Sequence, residues 1–178
     1  MKTYVALLRG INVAGQRKIK MPDLKSLFEK NGFDNVKTYL QSGNVLFTHK
    51  NAKAAQGTTI EKLLKAELGY DVSVLTIDKD TFLNIAQNNP LLNDPKVDPA
   101  FLHITFLFAP PSESIPIESI PLNGDEQAHL HNAHYYLYCP HGYGRTKIHT
   151  GYFEKTLNSP ATTRNWKTVN ALVQMLSE

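Results

Sequence analysis

TYVALL at 3–8, PDLKSLFEKN at 22–31, VKTYLQ at 36–41, NVLFT at 44–48, TIEKLLKAEL at 59–68 and VSVLTI at 72–77 decide the fold of this chain. The first stretch is apolar at nearly every position, as a strand is when both its faces are covered. In the second, Leu24, Leu27 and Phe28 recur at helical spacing, Pro22 suits the first turn and Gly32 the left-handed position after the last. Two strands follow, joined tightly around Ser42-Gly43. The helix at 59–68 carries Ile60, Leu63, Leu64 and Leu68 on one stripe, with Thr58 and Glu61 at capping-box spacing and Gly69 as its stop. A strand at 72–77 completes β-α-β-β-α-β, the split βαβ order of ferredoxin-like folds.

Beyond this unit the pattern loosens. A helix is expected at 79–88, ending before Asn89-Pro90, and Phe101–Phe108 reads as a strand apolar on both faces. Residues 109–124 hold four of the ten prolines and read as irregular connection. Glu126–His131 and His134–Cys139 read as a hairpin around Asn132-Ala133. Helices at about 150–158 and 164–177 end the chain, the second with Trp166, Val169, Leu172, Val173 and Leu176 on one side. The expected architecture is α+β with two packed subdomains. Residues 1–78 form a ferredoxin-like unit, and 79–178 a mixed α+β layer ending in a helix pair. The second half reads as a degenerate copy of the first, although no sequence repeat establishes duplication.

Composition bounds the function. The chain has 178 residues, 42% hydrophobic and 20% charged, with a net charge of +3. That is an ordinary globular balance, and no apolar run approaches the roughly 18 residues of a membrane span. The first strand begins at once, with no basic n-region, long apolar h-region or small-residue cleavage site, so no secretory leader is expected, and a lone Cys139 rules out an internal disulfide. A cytoplasmic protein without membrane contact is expected. Charge is unevenly spread: residues 9–25 carry Arg9, Arg17, Lys18, Lys20 and Lys25 against Asp23 alone. Residues 109–134 carry four acids and no Lys or Arg.

Two basic loops are the candidate site. Arg9-Gly10-Ile11-Asn12-Val13 follows the first strand, and Gly10 and Gly15 let backbone amides face a ligand. The frame resembles a P-loop, but Gln16 and Arg17 stand where phosphate-binding Lys and Ser or Thr would be, which argues against a nucleoside triphosphatase. In the second loop, Gly142, Gly144, Arg145 and Lys147 precede Thr162-Thr163-Arg164-Asn165-Trp166, where Thr162 or Thr163 is expected to cap the last helix. A cation in a helix's first turn is unfavourable unless an anion bridges it. For Arg164 that anion is either a ligand or a protein carboxylate such as Glu154, and the sequence leaves both open. Likewise the first loop suits either an anion or a solvated basic segment.

These strings resemble an uncharacterised, mostly bacterial family, the domain of unknown function numbered sixteen-ninety-seven. The resemblance is carried by residues 9–13, Lys20-Met21, Thr38 to Val45, Cys139-Pro140 with Gly142, Gly144 and Lys147, and 162–166 with Thr168-Val169. Ala14 and His141 depart from its pattern. The resemblance implies a two-part α+β fold and supplies no activity, substrate or cofactor. It also implies that Arg9, Asn12, Gln41, Asn44, Arg145, Lys147, Arg164 and Asn165 converge on one cleft.

Other chemistry is thinner. His129, His131 and His134 sit on the expected hairpin without the carboxylate or Cys spacing of a zinc site, and Cys139 reads as a small core residue. No nucleophile elbow or dinucleotide fingerprint occurs, so no cofactor is expected and whether the protein is an enzyme stays open. The leading expectation is a phosphorylated or otherwise anionic small molecule bound in a cleft between the halves. A nucleic-acid-binding module using the same loops, and a protein-interaction module without a ligand site, are the alternatives.

Overall fold

The computed structural model describes residues 1–178. Two compact units divide the chain: Met1–Ile85 with Leu172–Glu178, and Ala86–Ala171. In the first unit, β1 (Lys2–Leu8), α1 (Met21–Lys30), β2 (Asp34–Tyr39), β3 (Asn44–His49), α2 (Gly57–Leu68) and β4 (Val74–Asp78) follow the expected β-α-β-β-α-β order, and α3 (Lys79–Gln87) comes next. The strands lie β2-β3-β1-β4, all neighbours antiparallel. Tyr4, Ala6 and Leu8 of β1 share one face with Val45 and Phe47 of β3. On that face they pack with Leu24, Leu27 and Phe28 of α1 and Ile60 and Leu64 of α2. Val5, Leu7 and Leu46, on the opposite face, are also buried. The expectation of strands covered on both sides therefore holds.

The second unit contains β5 (Leu102–Leu107), β6 (Gln127–His131), β7 (His134–Tyr138), α4 (Thr150–Leu157) and β8 (Ala161–Asn165). Its sheet order, β6-β7-β5-β8, repeats that of the first unit with every neighbour antiparallel. The repetition reaches single hydrogen bonds. Leu8 N–H donates to Gly43 O and Arg9 N–H to Ser73 O; Leu107 N–H donates to Ala133 O and Phe108 N–H to Pro160 O. Glu61 on α2 accepts from Val74 N–H at 2.8 Å, and Glu154, fifth residue of α4 as Glu61 is of α2, accepts from Ala161 N–H at 2.9 Å. What the second unit lacks is a counterpart of α1. Between β5 and β6 the proline-containing segment makes only a single 3₁₀ turn, Ile117–Ser119.

Two local expectations fail. The Thr58–Glu61 capping box does not form: α2 begins at Gly57 after Gln56, no side chain caps it, and Glu61 turns instead to β4. The tertiary acceptor site outweighs the local one. The chain also does not end in two successive helices. Residues 161–165 are strand β8, paired with β5 from His103–Asn165 to Leu107–Ala161, and α5 (Trp166–Ser177) begins only after it. Thr162 and Thr163 suit a helix start by type, but an open edge of β5 supplies ladder partners for the backbone of residues 161–165 that no single-sequence pattern reveals.

Gly57 is where α2 meets β4. A Cβ there would lie 1.8 Å from Val74 O, a backbone atom that cannot swing aside. Gly57→Ala raises helix propensity by about 1 kcal/mol, yet it should lower the unfolding free energy by about 2 kcal/mol through overpacking. Urea denaturation would read the sign directly.

Candidate functional site

The loop after β1 is built, not slack. Gly10, Asn12, Ala14, Gly15 and Arg17 all have left-handed backbone angles, φ between 47° and 77°. Three of these are not glycine, a concentration of strain that the surroundings have to hold in place. Asn12 holds it. Its Oδ1 accepts from Ile19 N–H at 2.8 Å and its Nδ2 donates to Ile19 O at 2.9 Å, as a strand neighbour would. Nδ2 also donates to Gln41 O at 2.8 Å, fastening the loop to the β2–β3 turn. Asn12 N–H donates to Arg17 O, and Arg17 to Gly10 O. Ile11 and Ile19 anchor the two ends in the core.

The turn itself is held by Asn44, fully buried at the start of β3, whose Nδ2 donates to Tyr39 O at 2.7 Å and Ser42 Oγ at 3.1 Å. Gly43 has φ +81° and no room for a side chain, since a Cβ would meet Ile11 and Leu8 within 2.8 Å. Asn12, Gln41 and Asn44 are thus brought together, and the amides of Asn12 and Asn44 serve the backbone. Arg9 is half-buried at the root of the loop. Exposed at its surface are Lys18 and Lys20, with Arg17 half-buried beside them; none of the three has a carboxylate partner. Val13 (61% exposed) and Leu40 (52%) stand out beside them.

In the second unit Arg164 lies on β8, in mid-strand and not in a helix's first turn, so the dipole argument for a bridging anion does not apply to it. It is 7% exposed and donates to Thr162 Oγ1 at 2.8 Å and Thr163 O at 3.0 Å. Burial lowers its pKa to about 10, which leaves the guanidinium charged at neutral pH. Asn165, the next residue, caps α5: its Oδ1 accepts from Thr168 N–H at 2.9 Å, the role expected of Thr162 or Thr163. Arg145 and Lys147 are exposed, flanking buried Thr146, without carboxylate partners.

Sequence reasoning missed what fixes their loop. Thr150 Oγ1 lies 3.1 Å from Tyr143 Oη and 2.7 Å from Thr163 Oγ1, which lies 2.8 Å from Thr105 Oγ1. Tyr143 Oη accepts from Thr150 N–H at the start of α4, and its ring stacks on His103 at 4.5 Å. This hydroxyl chain ties the 3₁₀ turn Tyr143–Arg145 to α4 and the sheet. Only the β5–β8 register, with Thr105 opposite Thr163, could have signalled it.

No group of three His, Cys, Asp or Glu is placed to hold a metal ion. Cys139 is buried in the second core, and burial, reinforced by Glu126, pushes its thiol up to about 12, far from thiolate reactivity. His134 is buried against Tyr136, its Nε2 unpartnered, and burial followed by nearby His131 lowers its pKa to about 4.

The model of a family described as "Protein of unknown function (DUF1697)" matches residues 1–136. The chain belongs to that family. Residues 139–147 and 162–169 of the resemblance lie beyond the matched segment. Among solved structures, a conserved bacterial protein from Streptococcus pneumoniae, SP0830, is similar in fold. It shares 24% identity at a TM-score of 0.75, with 98% of each chain covered. No curated protein matches the chain.

Asn12→Ala removes the clamp on Ile19 and Gln41. It should destabilise the unit by about 1–3 kcal/mol, because Ile19's backbone groups lose their partner, and should speed hydrogen exchange at Ile19 selectively. His134 gives a pH signature. Its folded pKa of about 4 lies below the ordinary 6.5, so the unfolded state binds the extra proton between those values. Stability from the neutral ring is complete above pH 6.5 and is lost as pH falls towards 4. Between pH 7 and 4.5, His134→Phe should lose about 2 kcal/mol less unfolding free energy than the parent, measured by urea titration at each pH.

Proposed function

We propose that this family member binds a phosphorylated or otherwise anionic small molecule through its basic loops. The observation carrying the reading is the loop Gly10–Lys20, a strained backbone clamped by Asn12 that presents Arg17, Lys18 and Lys20 without carboxylate partners. A preorganised loop loses little entropy on binding, so its charges act at full effect. Arg145 and Lys147 are the equivalent cations of the second unit, on the turn anchored by Tyr143. Asn12 and Asn44 act in this reading as supports that hold the first loop and its neighbouring turn, with Arg9 and Gln41 beside them, while Asn165 caps α5 and Arg164 is bonded to its own strand. The first unit is read as ferredoxin-like from its order and pairing. A cytoplasmic location is part of the same reading, supported by the single free, buried Cys139; no helix is long and apolar enough to cross a membrane.

Nucleic acid is the second reading, favoured by the exposure of Lys18 and Lys20. Base stacking on the first sheet has no platform, because Tyr4–Leu8 and Asn44–Phe47 are buried. Contact would run through phosphates and fall steeply with salt.

A thermal-shift series with inorganic phosphate, nucleotides, sugar phosphates and a short RNA tests both. A small phosphorylated ligand should raise the melting temperature by several degrees, and the triple variant Arg17→Ala, Lys18→Ala, Lys20→Ala should abolish the shift while melting as the parent does. A shift with RNA alone, vanishing at moderate salt, would favour nucleic acid. Shifts that survive in the triple variant would overturn both.

A further inference from the structure

The β2–β3 pairing contains an irregularity that the loop chemistry does not use. Asp34 lies opposite Thr48 and Lys37 opposite Leu46, so three residue steps on β2 match two on β3. Asn35, with φ 51°, takes up the extra length and donates from Nδ2 to Thr48 Oγ1 at 3.0 Å. In a regular strand, residues three apart face opposite sides. The bulge brings Lys37 round to the face of Leu46, away from α1 and α2. Bulges at sheet edges commonly re-aim a side chain at a site.

On that face lies a cavity of about 330 Å³, at the lower end of ligand pockets. Lys37, Lys79, Asn35 and Thr48 supply its polar wall, and buried Leu46 and Leu176 its apolar one. Lys37 Nζ donates to Glu178 Oε2 at 2.9 Å, and Lys79, first residue of α3, has no carboxylate partner. Two ammonium groups therefore line a cavity with an apolar side, and only one of them is paired with a carboxylate.

We propose that this cavity is a binding site for a small carboxylic acid carrying a short apolar chain, and that the Glu178 side chain occupies the seat of the ligand's carboxylate. Lys37 is the charge partner, Lys79 adds long-range attraction, and the chain lies against Leu46 and Leu176. The Lys37–Glu178 pair is half-exposed on both sides, so it is weak enough for a ligand to displace. The site is independent of the basic loops.

Hexanoate is the probe, titrated at low salt into isotopically labelled full-length protein while the amide signals of Lys37, Leu46 and Thr48 are followed. Saturable shifts confined to this face are expected. Glu178→Gln should bind up to about fivefold more tightly, the worth of releasing one exposed ion pair. Lys37→Met should abolish saturation with the rest of the spectrum unchanged, and Arg17→Ala should leave binding intact. Linear shifts without saturation, equal binding in Lys37→Met, or equal binding of uncharged hexanol would overturn the proposal. Unchanged affinity in Glu178→Gln would overturn the role given to that side chain.

Discussion

A strand buried on both faces can satisfy its amides and carbonyls only through neighbours on both edges. β1 and β5 are such strands, and this constraint organises the protein. β1 lies between β3 and β4, β5 between β7 and β8. Placing the third and fourth strands of a unit on either side of the first forces the crossovers that α2 and α4 make. It also fixes where the chain leaves the sheet, with Leu8 and Arg9 bonded to Gly43 and Ser73 before the first loop begins. The root of the cationic loop is anchored as a ladder end.

The two units solve the same problem with the same parts. In each, a helix glutamate takes the first N–H of the last strand, and in each the residue opening the third strand is buried and polar, Asn44 in one and His134 in the other. They diverge after the opening strand. The first unit has a strained loop and α1 after its opening strand; the second has prolines there and moves its glycines and cations to the turn before α4. Asn44 can bond in several directions and holds a turn; His134 leaves a ring nitrogen without a partner and is held neutral by burial, so the same position carries pH sensitivity only in the second unit.

Polar side chains near the candidate site divide by what the backbone needs. Where residues adopt left-handed angles or a strand ends, peptide groups lack regular partners, and short amide side chains fill the gap. Asn12, Asn44 and Asn165 each do so. Long cationic side chains cannot imitate a peptide group at such close range and are left facing outward, as Lys18, Lys20, Arg145 and Lys147 are. Arg164 is the exception, buried on β8 and bonded to its own strand.

Periodicity alone determined β1 through β4, α1, α2 and the β6–β7 hairpin, because alternation, helical stripes and glycine stops at Gly32 and Gly69 are local signals. It also located the loops carrying the cations. Tertiary structure decided the rest. Residues 161–165 are a strand because β5 offered an open edge, Glu61 leaves its capping position because Val74 N–H needs an acceptor, and Lys37 changes face because of one extra residue beside Thr48. Each depends on a partner distant in the chain, and no pattern within a short window encodes a distant acceptor or a register.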